Sequence, residues 1–291
     1  MKVEVAIVNA FVVQGEGKAE GGNPAGVVLD ADNLSAEQKL EIAKQVGLSE
    51  TAFVSSSNIA DFKLDFFTPT RQIAHCGHAT IATFNLLSAK GLVSNSDSSK
   101  ETVDGIRDVK VGAETSSMEQ LKPRYEALPE LQDRVLTSLN LNKEQVSDQA
   151  ILVNTGNSFV LVGVKDSQTL ADIEPNLALI EEISEELDLI GYYVFTLDAN
   201  LPTSDASTRM FGPRYGIKEE AGTGMAAGPL ACYLYDYTDL KKETFLIEQG
   251  YAMKPASPSL LEAKLTLDGT DIKGLMVGGS ARVSKRLTVE I

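Results

Sequence analysis

Residues 73–87 read IAHCGHATIATFNLL, a cysteine, a glycine and a histidine directly ahead of a run without charge. Ala79, Ile81, Ala82, Phe84, Leu86 and Leu87 cover more than one stripe of a helix over Gly77 to Ala89. A helix that is apolar on nearly every side belongs inside a protein, surrounded by strands. The trio Cys76-Gly77-His78 at its start then has three readings: a metal clip, a nucleophile with its base, or the polar lip of a buried helix.

The flanking sequence supplies the strands. Val3, Val5 and Ile7 alternate within residues 2–8, and GGNPAGVVLD gives a turn and a second strand from Gly26 to Leu29. Ser35 with Gln38 forms a capping box, opening a helix with Leu40, Ala43 and Val46 on one stripe and Gly47 as its stop. ETAFVSS and ADFKLDFFTP add two strands, the second with Phe62, Leu64 and Phe66 in alternation.

The second half repeats this plan. ILVNTGNSFVLVGV and GYYVFTLDA are strand-like, and TRMFGPRYGIKEEAGTGMAAGPLACYLYD echoes DFFTPTRQIAHCGHATIATFNLL. Laying Cys76-Gly77-His78 over Ala221-Gly222-Thr223 gives an offset of 145 residues, about half the chain of 291. Such self-similarity is expected of two duplicated halves about a pseudo-twofold axis. Pro229 is expected to kink or interrupt the second apolar helix.

Between the halves, LVSNSDSSKETVDG and GAETSSMEQLKPRYEALPE are rich in Ser, Glu, Asp and Lys, which places a boundary near residues 117–127. A short amphipathic helix is expected around Leu128 to Leu141. The tail GLMVGGSARVSKRLTVEI reads as two strands around a glycine pair that return to the N-terminal half. The domains expected are residues 1–120 joined by 278–291, and residues 121–277.

Composition narrows the function. With 43% hydrophobic and 23% charged residues the chain is an ordinary globular one. Its net charge of −15 repels phosphate backbones and anionic bilayers, so neither nucleic acid nor membrane is an expected partner. An anionic substrate would have to be met locally, by helix N-termini or a few placed donors. Two cysteines, Cys76 and Cys232, and no signal-like segment suggest a reducing, cytoplasmic setting. With two histidines, His75 and His78, and no Cys-x-x-Cys pair, three or four convergent metal ligands are not expected.

Five blocks in order, GGNPAGVVLDADNLS, LSETAFV, FFTPTRQIAHCGHATIA, RMFGPRYGIKEEAGTGMAAGPLACYL and VGGSARV, resemble the phenazine-biosynthesis PhzF-like isomerases, over essentially the whole chain. The resemblance implies a diaminopimelate-epimerase-like α+β fold: two similar domains, each a β-barrel-like sheet wrapped round a central apolar helix, with the site in the cleft between them. It implies an isomerase that shifts a proton or double bond on a small carboxylate-bearing substrate, without metal or organic cofactor. A homodimer is left open.

Position by position, Glu50 lands on the family's proton-shuttling glutamate and His78 on the histidine of its Gly-His pair. Glu220 falls where aspartate is usual and Met225 where serine is usual. The resemblance makes Glu50, His78 and Glu220 catalytic candidates, and Asn23, Gly77, His78, Gly224 and Met225 substrate-binding ones. A carboxylate in a closed apolar cleft serves as both acid and base near neutral pH, although a Glu in this setting also reads as a solvated strand-edge residue. His78 alone reads equally as a helix-start histidine satisfied by backbone.

The related epimerases oppose two cysteines. Here the overlay sets Ala221 opposite Cys76, so Cys76 reads as a small buried residue and Cys232 as core. The opening trio is therefore expected to be a helix lip whose amides and histidine face a ligand. An amino-acid racemase or epimerase, or a ligand-binding member without turnover, are the alternatives.

Overall fold

The computed structural model describes residues 1–14, 21–93 and 96–291. Two compact units divide the chain, Met1–Glu119 with Gly278–Ile291, and Gln120–Val277.

The first unit runs β1 (Lys2–Ala10), β2 (Asn23–Val28), α1 (Ala36–Val46), β3 (Thr51–Ser55), β4 (Phe62–Phe67), β5 (Gln72–Ile73), α2 (Gly77–Ala89), β6 (Asp97–Thr102), β7 (Gly105–Val111) and most of β8 (Thr115–Leu121). β1 and β2 pair antiparallel, β2 and β3 parallel across α1, then β3 with β4 and β4 with β5 antiparallel, and β4 with β6 parallel. α2 packs against β1, β2, β3 and β7, and is buried from Gly77 through Phe84 and at Leu86 and Leu87. Burying each large apolar side chain of such a helix contributes about 1.5–3 kcal/mol, so its all-round apolarity is what draws the strands about it.

The second unit, after β9 (Arg124–Ala127) and α3 (Gln132–Ser138), runs β10 (Ile151–Asn154), β11 (Ser158–Gly163), α4 (Ser167–Ala171), α5 (Leu177–Glu186), β12 (Gly191–Thr196), β13 (Ala206–Gly212), β14 (Ile217–Glu220), α6 (Gly224–Tyr237), β15 (Thr244–Gln249) and β16 (Ser259–Asp268). Its pairings have the same senses in the same order: β10–β11 antiparallel, β11–β12 parallel, β12–β13 and β13–β14 antiparallel, β13–β15 parallel. α6 packs against β10, β11, β15 and β16. The fold class is α+β, as expected, with a sheet about one central helix in each unit.

The shared topology corrects the register of the overlay. Three residues separate β5 from α2 and three separate β14 from α6, and the N-caps are Cys76 and Thr223, 147 residues apart rather than 145. Thr223, not Ala221, therefore occupies the place of Cys76. The motif overlay followed the repeated small residues, whereas the helix start follows the strand ends.

The α1 capping box is present, with Ser35 accepting from Gln38 and Gly47 closing the helix at φ 68°. Its deeply buried face is Lys39, Ile42 and Ala43, with Leu40 and Val46 only half-buried against the core. Lys39 is carried inward because its amine meets Asp65 at 2.5 Å.

Two further expectations fail, the interruption at Pro229 and the two-stranded tail. The polar segments over residues 97–127 form strands β6 to β9; Ser94 and Asn95 lie outside the described residues. β6 turns Ser98, Lys100 and Thr102 inward, so its alternation is polar on both faces and carries no hydropathy signal. α6 runs unbroken through Pro229, which lies in its second turn, where proline gives up only the bond to the Met225 carbonyl. Beside it, the missing side chain of Gly228 makes room for Gln120, whose amide donates to the Gly224 carbonyl at 2.9 Å. The tail is one strand, β17 (Asp271–Glu290), which passes through Gly278 and Gly279 and pairs antiparallel with β1 from Ala281 to Glu290.

Candidate active site

Glu50 sits between the Gly47 stop of α1 and the first residue of β3, and its backbone carbonyl accepts from Gly26 of β2 at 3.0 Å. The crossover thus delivers one carboxylate at the end of a buried strand, and Glu50 is only 6% exposed. His78, the second residue of α2, is 4% exposed. Its Nε2 lies 3.4 Å from Glu50 Oε2, within ion-pair range and longer than a formed hydrogen bond. Catalytic pairs are commonly loose before a ligand tightens them.

The opposite ring nitrogen of His78, Nδ1, lies 3.6 Å from the Cys76 thiol. Cys76, Glu50 and His78 each bring one ligand-capable atom within 4.8 Å of the others. This overturns the expectation that no three metal-binding groups converge, because strand pairing brings Glu50 to residues that lie far along the chain. The thiol and the carboxylate nevertheless approach different ring nitrogens. That is a chain through the imidazole, able to pass a proton.

Gly77 is the first residue of α2, and its neighbours fix the turn: the Cys76 carbonyl accepts from the Thr80 amide at 3.3 Å and from Thr80 Oγ1 at 2.6 Å. The first amides of a helix have no internal partners and carry partial positive charge, which suits a carboxylate. Asn23 opens β2 opposite Ala10 and is buried.

The second unit holds the remaining candidates. Gly224 and Met225 are the first two residues of α6, and Met225 Sδ accepts from Asn157 Nδ2 at 3.4 Å. Glu220 ends β14, 8% exposed, and its Oε2 accepts from Thr223 Oγ1 at 2.6 Å. Gln249, the last residue of β15, holds this corner. Its Nε2 donates to the Glu220 carbonyl at 2.6 Å, while its Oε1 accepts from the Thr223 amide at 2.9 Å and the Tyr193 hydroxyl at 3.0 Å. Thr208 Oγ1 donates to the same hydroxyl at 3.0 Å, and burial raises the Tyr193 pKa, keeping the phenol protonated. Gln249 and Asn157 carried no sequence signal, because a polar residue ending an apolar strand, or one in the turn between two strands, looks like any other at such a place. Cys232 is wholly buried inside α6, where burial pushes its thiol up and keeps it protonated.

The sequence matches the family described as phenazine biosynthesis-like protein over residues 9–286. It is 33% identical over 282 residues to an uncharacterized isomerase of Clostridium acetobutylicum, covering 90% of this chain and 91% of that one. It is 28% identical over 276 residues to the trans-2,3-dihydro-3-hydroxyanthranilate isomerase of Pseudomonas chlororaphis, covering 92% and 94%. The crystal structure of a Bacillus anthracis phenazine biosynthesis protein of the PhzF family superposes with a TM-score of 0.90 at 26% identity, covering all of both chains. No helix among the described residues is long and apolar enough to cross a membrane. The duplicated topology and the extent of the match lead to one conclusion: the chain belongs to the phenazine biosynthesis-like protein family and is an isomerase of diaminopimelate-epimerase-like fold.

Proposed function

We propose that the protein moves a proton between two carbons of a small unsaturated carboxylic acid, with Glu50 as the acid and base and His78 as its partner. The observation that carries this reading is the buried pair itself, a carboxylate and an imidazole 3.4 Å apart at the start of a central helix. One base that accepts a proton from one carbon and returns it to the next needs no second thiol. Neither Thr223 nor Ala221 supplies one. In the first unit, the backbone amides of Gly77 and His78 at the start of α2 would meet the charge of a substrate carboxylate, with Asn23 orienting its polar groups; in the second unit, Gly224, Met225 and Glu220 are proposed as substrate-contacting residues at the start of α6.

The Pseudomonas chlororaphis relative is named for a dihydro-hydroxyanthranilate, a cyclic unsaturated acid of this chemical class. Met225 offers a thioether where a hydroxyl is usual, so the substrate here is proposed to be less polar on that side. The reaction as proposed uses no metal or organic cofactor, and two cysteines that form no disulfide suit a reducing, cytoplasmic setting.

A second reading has one observation in its favour, the Cys76 thiol on the far nitrogen of His78. It would make the protein a racemase or epimerase that exchanges a proton at one carbon. Incubation with a panel of small unsaturated acids and amino acids in deuterated water, read by mass spectrometry and chiral chromatography, separates the two. Label on a carbon across a shifted double bond supports the isomerase; label with inversion at one α-carbon supports the racemase and sinks the first reading.

A further inference from the structure

Lys100 is a lysine with no exposed surface, placed on the inward face of β6. Among the described residues no carboxylate lies within ion-pair range of it. Its Nζ instead lies 2.6 Å from Thr80 Oγ1, 3.3 Å from His75 Nδ1 and 5.2 Å from the centroid of the Phe66 ring. Burying a long cation without a counter-charge is costly, and an apolar side chain would fill the same space without that cost. Burial lowers its pKa to about 7, with Arg107 adding to the depression and the Cys76 thiol and Asp104 opposing it.

The contacts of the amine are specific. Thr80 Oγ1, having accepted from Lys100, donates to the Cys76 carbonyl at 2.6 Å. His75, whose ring packs edge-on to Phe66, precedes Cys76 directly. Lys100 therefore holds one residue before and one residue after the stretch Cys76-Gly77-His78. The second unit shows the same device: β15 lies parallel to β13 as β6 lies parallel to β4, and its Gln249 bonds Thr223 and Glu220 at the start of α6.

We propose that Lys100 is a positioning residue: through Thr80 and His75 it clamps the first turn of α2, and thereby fixes the His78 ring against Glu50. The functional part of this proposal rests on the isomerase reading of Glu50 and His78, but its test does not require turnover. Only two histidines occur in the chain, so the 15N spectrum of the full-length protein labelled at histidine contains two ring systems. A protonated Lys100 can only donate, so in that state His75 Nδ1 accepts from it, which selects the Nε2–H tautomer. Burial, Lys100 and Arg107 depress its pKa and keep the ring neutral.

Lys100→Met should alter the His75 tautomer signature and also move the His78 ring resonances and their pH titration. Lys100→Gln, which keeps a donor without the charge, should restore His78 toward the wild type. Thr80→Val should reproduce the His78 changes alone. With a substrate in hand, Lys100→Met should lower kcat more than it changes KM, by up to about a hundredfold, the scale of a misplaced reacting group. A folded Lys100→Met protein with an unmoved His78 titration makes Lys100 a core filler and overturns the proposal. Should that variant fail to fold, an unmoved His78 in Thr80→Val overturns it equally. If His78 responds while no acid in the panel is turned over, the proposed proton transfer on a small unsaturated acid falls and the clamp stands.

Discussion

His78 Nε2 lies 3.4 Å from Glu50 Oε2, with both side chains buried in one unit and delivered by different elements, the start of α2 and the entry to β3. The parallel pairing of β2 with β3, across α1, brings Glu50 to this point.

Glu50→Gln keeps the shape of the side chain and removes the group that carries the proton. Turnover, followed as deuterium incorporation, should fall by at least about a hundredfold, the low end for general acid–base catalysis, while the circular dichroism spectrum is retained. Cys76→Ala removes one contact on His78 and should cost less than about tenfold, below the loss expected for an acid or base. The reverse ranking would favour the racemase reading.

Metal removal gives a separate check. Prolonged dialysis against a strong chelator should leave activity and Tm unchanged. Loss of either, restored by zinc, would mean that Glu50, Cys76 and His78 act as metal ligands.

Lys100 makes stability depend on pH in a definite direction. Its pKa is lowered from 10.5 to about 7 in the folded protein. Below pH 7 both states carry the proton and the full burial penalty applies. Between about 7 and 10.5 the unfolded chain binds more protons, so this group makes stability rise with pH, by at most about 1.4 kcal/mol per unit. Urea unfolding at pH 7 and pH 9 should show a smaller rise, or a steeper fall, in Lys100→Met than in the wild type. An identical pH response would contradict the assignment.

Gln249→Leu should destabilise the protein. The substitution strands the Thr223 amide and leaves the Tyr193 hydroxyl without its acceptor. Each orphaned buried group costs about 1–3 kcal/mol. A change below about 1 kcal/mol in chemical denaturation would indicate that water replaces the amide.

The apolar helices were legible in the sequence because each is hydrophobic on almost every side, a pattern with no solvent-facing solution. Capping at Ser35 and Gly47 was equally local, set by neighbouring side chains and one left-handed glycine. These features, with the duplicated order of strands about each helix, determine the α+β fold from sequence alone. The tertiary structure decided the rest. β6 hides Lys100 and Thr102 inside, and only its partners Thr80 and His75 explain why polar residues are carried there. Cys76 corresponds to Thr223 and not to Ala221, because register is counted from strand ends that residue type does not mark. The meeting of Glu50 with His78 depends on pairing between strands distant along the chain, and long-range pairing is the one relation that local propensity and periodicity do not encode.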